Sequence, residues 1–283
     1  MDGPTPDNME NDFAIARFTP AAFTETNVSV AEHIKATAGV RLDFPEKSDS
    51  ELSPKLGVLC HAWSNTKLRL NVGRAFKLPS IHALGDPLIG DHNLKPESSL
   101  GGDLGIEPIF ETGQVLRITY FYNRFSRLID LDPDLAQQGV FKLANLSTVE
   151  TQGIEANVTI RPYESLSAQG FFTYLHSDIK NSDQPLRNRP RFSGGIILEK
   201  ELFDRLVARM NLSAIGKKYD LQIPTTRRST EAYLKADLAL MFSPNRSLSI
   251  FGVLGNLANA KYEDYVGFRA PGTNFRFRMT WRP

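Results

Sequence analysis

The chain has 283 residues, and its 33 Lys and Arg against 32 Asp and Glu leave a formal net charge of +1, too even a balance to hold nucleic acid or an acidic surface. Its single cysteine, Cys60, excludes an internal disulfide and a thiolate metal cluster. The mean hydropathy is −0.28, and no apolar run reaches the roughly 20 residues a spanning helix needs, so a helical membrane protein is excluded as well.

Met1 to Asp12 is polar and acidic, with neither a basic n-region nor an apolar h-region, so no signal peptide is predicted there. The expected organisation is a polar segment over 1–17 and one all-β unit over 18–283, with its first strand near 18–30. From Ile34 the chain alternates with period two: Ile34, Ala36, Ala38, Val40, Leu42 and Phe44 share one face, and Lys35, Thr37, Gly39, Arg41 and Asp43 the other. Such alternation predicts a strand and excludes a helix.

The pattern returns along the chain. Leu68, Leu70 and Val72 alternate with Lys67, Arg69 and Asn71. Leu116, Ile118, Tyr120 and Tyr122 alternate with Arg117, Thr119 and Asn123, with Phe121 in the polar row. Further rows are Ile154 to Ile160, Leu206 to Ala214, Leu234 to Phe242, and Phe275, Phe277, Met279 and Trp281.

A soluble sandwich alternates too, but its strands run to about 5–6 residues, against about 9–11 for a tilted strand crossing a bilayer. The runs 33–44, 148–161 and 232–243 have the longer length, and their apolar rows carry no charge in mid-stretch. A basic residue there would cost about 2–4 kcal/mol in lipid. Short turns near Ala31, Ser64, Thr112, Pro162, Leu202 and Pro244 alternate with long loops over 45–53, 77–96, 126–147, 179–189, 217–230 and 258–271, as in a transmembrane up-and-down barrel with short periplasmic turns and long extracellular loops. Phe44, Trp63, Phe76, Phe110, Phe242 and Trp281 stand at strand ends, where interfacial girdles belong.

About 13 strands result, an odd number. Bacterial single-chain barrels are even, and an open sheet would leave unpaired edges in hydrocarbon, so the expectation is an incomplete barrel.

The junctions carry motifs. Gly73-Arg74-Ala75-Phe76-Lys77-Leu78-Pro79-Ser80 is followed by Asn93-Leu94-Lys95-Pro96-Glu97. Then come Tyr120-Phe121-Tyr122-Asn123-Arg124 with Leu128-Ile129, and Asn145 with Gly153-Ile154-Glu155. Gly255-Asn256-Leu257, Tyr262 and Pro271-Gly272-Thr273-Asn274-Phe275 complete the order. In this order the segments resemble the C-terminal barrel portion of TonB-dependent outer-membrane receptors, the siderophore and vitamin B12 group. Thr273 departs from that family's Arg, Ala258-Asn259 from its Phe-Asp, and Arg282-Pro283 follow the terminal aromatic.

The resemblance implies energised uptake of a metal chelate (iron–siderophore or cobalamin type) across the bacterial outer membrane. Its implied partners are outer-membrane lipid, the barrel-assembly machinery and the TonB–ExbB–ExbD complex, which acts through a plug domain. No plug or TonB box is recognised in the sequence, and a passive porin-like barrel or a non-transporting fragment are the alternatives. The motif prolines, glycines and asparagines also have an architectural reading, ending ladders and bending loops.

Enzyme chemistry finds no footing. His33, His61, His82, His92 and His176 have no metal-ligand spacing, and there is no G-x-S-x-G elbow and no phosphate-cradling loop. His176 and Ser193 differ in strand parity, against a lipid-facing hydrolase pair. No cofactor or metal is expected. The polar rows are rich in charge of both signs: Lys35, Arg41, Lys67, Arg69, Asp103, Glu107, Arg117, Glu155, Arg161, Arg209, Lys235, Asp237, Arg276 and Arg278. They suit either a plugged or a water-filled lumen. The candidate ligand contacts, for an anionic or aromatic ligand, are the predicted loop residues Arg187, Arg189, Tyr219, Arg227, Arg228, Tyr265 and Arg269.

Overall fold

The computed structural model describes residues 15–46, 48–146, 148–180, 185–220 and 229–282. Most of the polar segment expected over 1–17 therefore lies outside the described residues. Strand β1 (Ala21–Ala31) is followed by β2 (Ile34–Asp43), β3 (Glu51–Trp63) and β4 (Thr66–Lys77); helix α1 (Ile81–Gly85) then leads to β5 (Glu97–Pro108) and β6 (Val115–Ser126). The next connection holds β7 (Ile129–Leu131), α2 (Pro133–Gln137) and β8 (Leu143–Asn145), before β9 (Thr148–Tyr163), β10 (Leu166–Ile179), β11 (Phe192–Phe203) and β12 (Leu206–Ile215). Short β13 (Lys218–Tyr219) and β14 (Ser229–Thr230) precede β15 (Tyr233–Phe242) and β16 (Leu248–Gly255). In the last connection lie β17 (Glu263–Tyr265) and β18 (Phe268–Arg269), and β19 (Asn274–Trp281) ends the order.

The long strands form one antiparallel sheet of 13, in the order β1-β2-β3-β4-β5-β6-β9-β10-β11-β12-β15-β16-β19. This is the up-and-down meander the alternation predicts. Because the count is odd, β1 and β19 run in the same direction, and no ladder joins them among the described residues. Among the described residues the short pieces pair with each other, β7 with β8, β13 with β14 and β17 with β18. At four of the tight turns the ladder shifts register by a residue, at Ser29/Ala31, His61/Trp63, Leu166/Ala168 and Glu201/Phe203, and such bulges add local twist.

Register carries facial identity from strand to strand, since directly opposed residues share a face. One row runs Ser29, Lys35, Leu59, Arg69, Gly105, Thr119, Glu155, Thr173, Ser193, Ile215 and Tyr233. The same polar face holds Asn71 opposite Asp103 and Asn211 opposite Asp237. Glu107, its side chain only 6% exposed, lies there among Arg117, Arg69 at 3.3 Å and Lys67 at 3.5 Å. A cavity of about 920 Å³ opens against this wall, lined by Asn27, Lys55, Arg69, Asn71, Asp103 and Asn123.

Phe121 lies on the polar face opposite Gly153. A Cβ on Gly153 would meet the Phe121 ring at 2.7 Å and the Tyr174 carbonyl, so glycine makes room for the ring.

The opposite face keeps Val40, Leu56, Leu70, Leu104, Ile118 and Ile154 exposed, each between 39% and 56%. A soluble monomer rarely leaves so broad an apolar surface in water, whereas hydrocarbon covers it without penalty. The long strands of the main sheet between β2 and β15, of 10–16 residues each, have the length for that crossing. Buried core is scarce. Among the described residues its cluster, Leu146, Val149, Ile179 and Leu186 with Phe125 and Leu128, sits where two long connections meet.

Candidate functional site: the long-loop platform

In a meander all long connections emerge at one end, and here those from the β4–β5 connection onward are knitted together. In the first motif Ser80 caps α1, its Oγ accepting from the Ala83 amide at 2.9 Å, and the Pro79 carbonyl accepts from Arg17 at 2.7 Å. Asp86 turns the loop by accepting the amides of Leu88 and Ile89 at 2.8 and 2.9 Å, and these two donors, Ile89 first, hold its carboxyl below the usual range.

The second motif is a clasp. Asn145 accepts from the Lys95 amide at 2.8 Å and donates to the carbonyls of Lys95 and Arg127 at 3.0 and 2.8 Å. Buried Glu97 accepts the Ile129 amide at 2.6 Å and pairs with Lys77 at 3.1 Å. The motif residues thus tie the 78–96 connection to the 127–147 connection, and the Leu143 amide adds a bond to the Ile89 carbonyl at 2.7 Å.

Arg187, on the connection after β10, ties it to two others. Its guanidinium reaches Asp130 at 3.2 Å and Asp220 at 3.1 Å, with 22% of the side chain exposed. The other oxygen of Asp220 accepts the buried Val266 amide at 3.0 Å. Beside it the Asn188 amide donates to the Tyr219 carbonyl at 2.8 Å, and Lys218 donates to the Asp264 carbonyl while lying 6.0 Å from the Tyr265 ring centroid. Tyr233 stacks on Tyr262 at 4.2 Å.

Fully buried Asn256 knots the last connection. At φ 52° it takes the left-handed conformation asparagine tolerates. Its side chain donates to the carbonyls of Ala260 and Pro271 at 2.9 and 3.2 Å and accepts the Ala260 amide at 2.8 Å.

The sequence-predicted contacts fall into two groups on this platform. Arg187 sits among its carboxylates with Tyr219, half-buried, nearby, and Arg189 is exposed. Tyr265 and Arg269 belong to the β17–β18 hairpin, both exposed, and Arg269 faces Glu263 across the ladder. Arg269 also lines a cavity of about 330 Å³ with Glu231, Lys261 and Tyr262. Arg227 and Arg228 lie outside the described residues. Asp130, Asp220, Lys218 and Lys261 escape the sequence reading because no local pattern marks them, while Tyr262, read there only as a motif residue, stacks on Tyr233. On the strands, Ser193 opposes Thr173 on the polar face, whereas His176 opposes Gln152 on the other, so the two cannot act as a pair.

A transmembrane antiparallel wall with a polar inner face and a knitted rim of long loops defines a barrel receptor fold. The match to the family model for the TonB-dependent receptor-like β-barrel covers residues 1–257, and the chain belongs to that family. It is similar to the ferric enterobactin receptor PirA of Pseudomonas aeruginosa, 24% identical over 288 residues, covering 93% of this chain and 37% of that protein. The vitamin B12 transporter BtuB of Photobacterium profundum is 25% identical over 241 residues, 79% of this chain and 36% of its own. The chain thus spans little more than a third of the length of the curated relatives it matches.

Among solved structures, PirA of P. aeruginosa superposes with a TM-score of 0.73 at 20% identity, over 94% of this chain and 46% of that one. A mutant ferric enterobactin receptor of the same species, in complex with enterobactin, gives 0.78 at 19% identity, over 94% and 45%. These structural likenesses establish the fold.

Proposed function

We propose that the chain forms the C-terminal part of the barrel wall of a receptor in the bacterial outer membrane, which imports a scarce nutrient as a metal chelate of the iron–siderophore or cobalamin type. The observation that carries this reading is the family match across residues 1–257. Relatives named for ferric enterobactin and vitamin B12 support the ligand class.

On this reading the loop platform faces outside and receives the ligand. Arg189, Tyr265 and Arg269 offer guanidinium and phenol groups that suit an anionic, aromatic chelate, with Tyr219 beside them, and Arg227 and Arg228 are proposed as contacts on the sequence alone. Arg187 acts as a positioning residue, fixing the platform through Asp130 and Asp220. The TonB–ExbB–ExbD complex acts through a plug domain packed on the polar face, against a charged surface whose carboxylates and cations, such as Glu107 and Arg117, are already paired within the wall. Outer-membrane lipid covers the apolar face, the barrel-assembly machinery inserts the strands, and residues 1–17 lead into the wall formed by 18–283. The chain performs no catalysis.

The test is calorimetric titration of the chain in detergent micelles with a ferric tris-catecholate complex and, separately, with cobalamin. Saturable binding of one of them, weakened about tenfold by Arg269→Ala, is expected. Binding of neither, together with steady ion conductance in planar bilayers, would replace the importer with a passive porin-like wall.

A further inference from the structure

The apolar face is not uniform. Toward the platform end of β10, β11, β12 and β15 it is indented by a groove of about 590 Å³. Register explains the shape. Phe172 opposes Gly194, Gly194 opposes Ala214, and Ala214 opposes Leu234, so two small residues make a floor between large walls. Phe192 adds to the wall, 6.3 Å from Phe172 and 5.2 Å from Tyr174 between ring centroids. Phe192 and Leu234 are 51% and 72% exposed.

A cation closes the platform end of this aromatic column. Arg191, exposed, lies 5.6 Å from the Tyr174 ring centroid and donates to its hydroxyl at 3.2 Å. No ion pair neutralises it among the described residues. Exposed Arg189 precedes it on the same connection, and exposed Lys217 follows Gly216, whose amide bonds to the carbonyl of Phe192 at 2.9 Å. The exposed acid at this rim, Glu231, stands beyond Ala232 on the far wall.

An apolar slot beside an exposed arginine complements an amphiphile with an acyl chain and a phosphate. We propose that this groove seats a phosphorylated glycolipid of the outer leaflet, one acyl chain lying over Gly194 and Ala214 and a phosphate on Arg191. The inference rests on the outer-membrane reading, which puts the platform end in that leaflet. Arginine suits the headgroup because its planar fork donates two parallel bonds to a phosphate.

The test is native mass spectrometry of the chain in micelles with bisphosphorylated lipid A, its dephosphorylated form and phosphatidylglycerol. The phosphorylated glycolipid should be retained about tenfold better than the dephosphorylated form. Arg191→Gln should erase that difference, and Ala214→Phe, which fills the slot from its exposed floor, should weaken retention of both forms. Equal retention of the two forms by the unaltered chain, or variants without effect, overturns the site. Retention of phosphatidylglycerol equal to that of lipid A overturns the glycolipid assignment. Far-UV circular dichroism separates the two levels: sheet signal kept with no lipid preference removes the groove alone, whereas sheet signal lost in micelles removes the membrane-wall reading and the groove with it.

Discussion

Asp220 is the residue whose loss should loosen the platform most selectively. Its side chain is 4% exposed, and it holds both the Arg187 guanidinium and the Val266 amide. In Asp220→Ala the Val266 amide, on a residue 3% exposed, is left without an acceptor, a cost of about 1–3 kcal/mol. Arg187 keeps Asp130 at 3.2 Å, so the ion-pair loss is partial, adding about 1 kcal/mol. Together these give about 2–4 kcal/mol, which shifts local opening about 30- to 700-fold. Asp220→Asn retains acceptor capacity for Val266 and should show about half the free-energy effect. Amide hydrogen exchange in micelles reads this directly: protection at Val266 and Asn188 should fall by that factor, while Leu143, bonded to the Ile89 carbonyl on the neighbouring connection, should keep its own. Unchanged protection at Val266, or an equal fall across every strand of the sheet, would refute the reasoning.

Asn256→Ala deletes three side-chain bonds in a fully buried knot and should cost about 2–4 kcal/mol in urea unfolding, with Asn256→Asp intermediate because it keeps an acceptor for the Ala260 amide. Gly153→Ala should destabilise the wall by about 1–3 kcal/mol, read as lost resistance to urea in micelles, and adding Phe121→Ala should rescue only part, since the Tyr174 carbonyl still blocks the new methyl. Asp86 has a depressed folded-state pKa, so its contribution to the 78–96 connection is present above the unfolded value of about 4 and is lost as pH falls through the folded value. Pepsin nicking there should therefore be slower in the unaltered chain than in Asp86→Ala at pH about 5, and the difference should shrink progressively as pH falls below about 4.

The wall was legible because a strand between lipid and a polar lumen writes its environment into every second residue. The runs expected at 148–161 and 232–243 appear as Thr148–Tyr163 and Tyr233–Phe242. One boundary differs for a physical reason. A loop expected through residue 53 yields to β3 at Glu51, even though Pro54 lacks a ladder donor. Pro54 opposes Val40 on one side, while on the other the ladder to β4 begins only at Lys55, so the missing donor faces an unpaired position.

The platform was less legible, because its chemistry is held in pairs far apart in the chain. Arg187 reads locally as one more loop cation, yet its partners lie 57 residues before it and 33 after it. The pieces between, β13, β14 and β18, are two residues long, too short for any period to announce them. The same distinction separates the cations of the rim by role. A cation between two carboxylates sets the position of loops and adds little field beyond them, whereas Arg189, Arg191 and Arg269 project exposed charge toward whatever approaches. Substitution at Arg187 should therefore change loop protection first and affinity through it, and substitution at Arg269 should change affinity while protection holds.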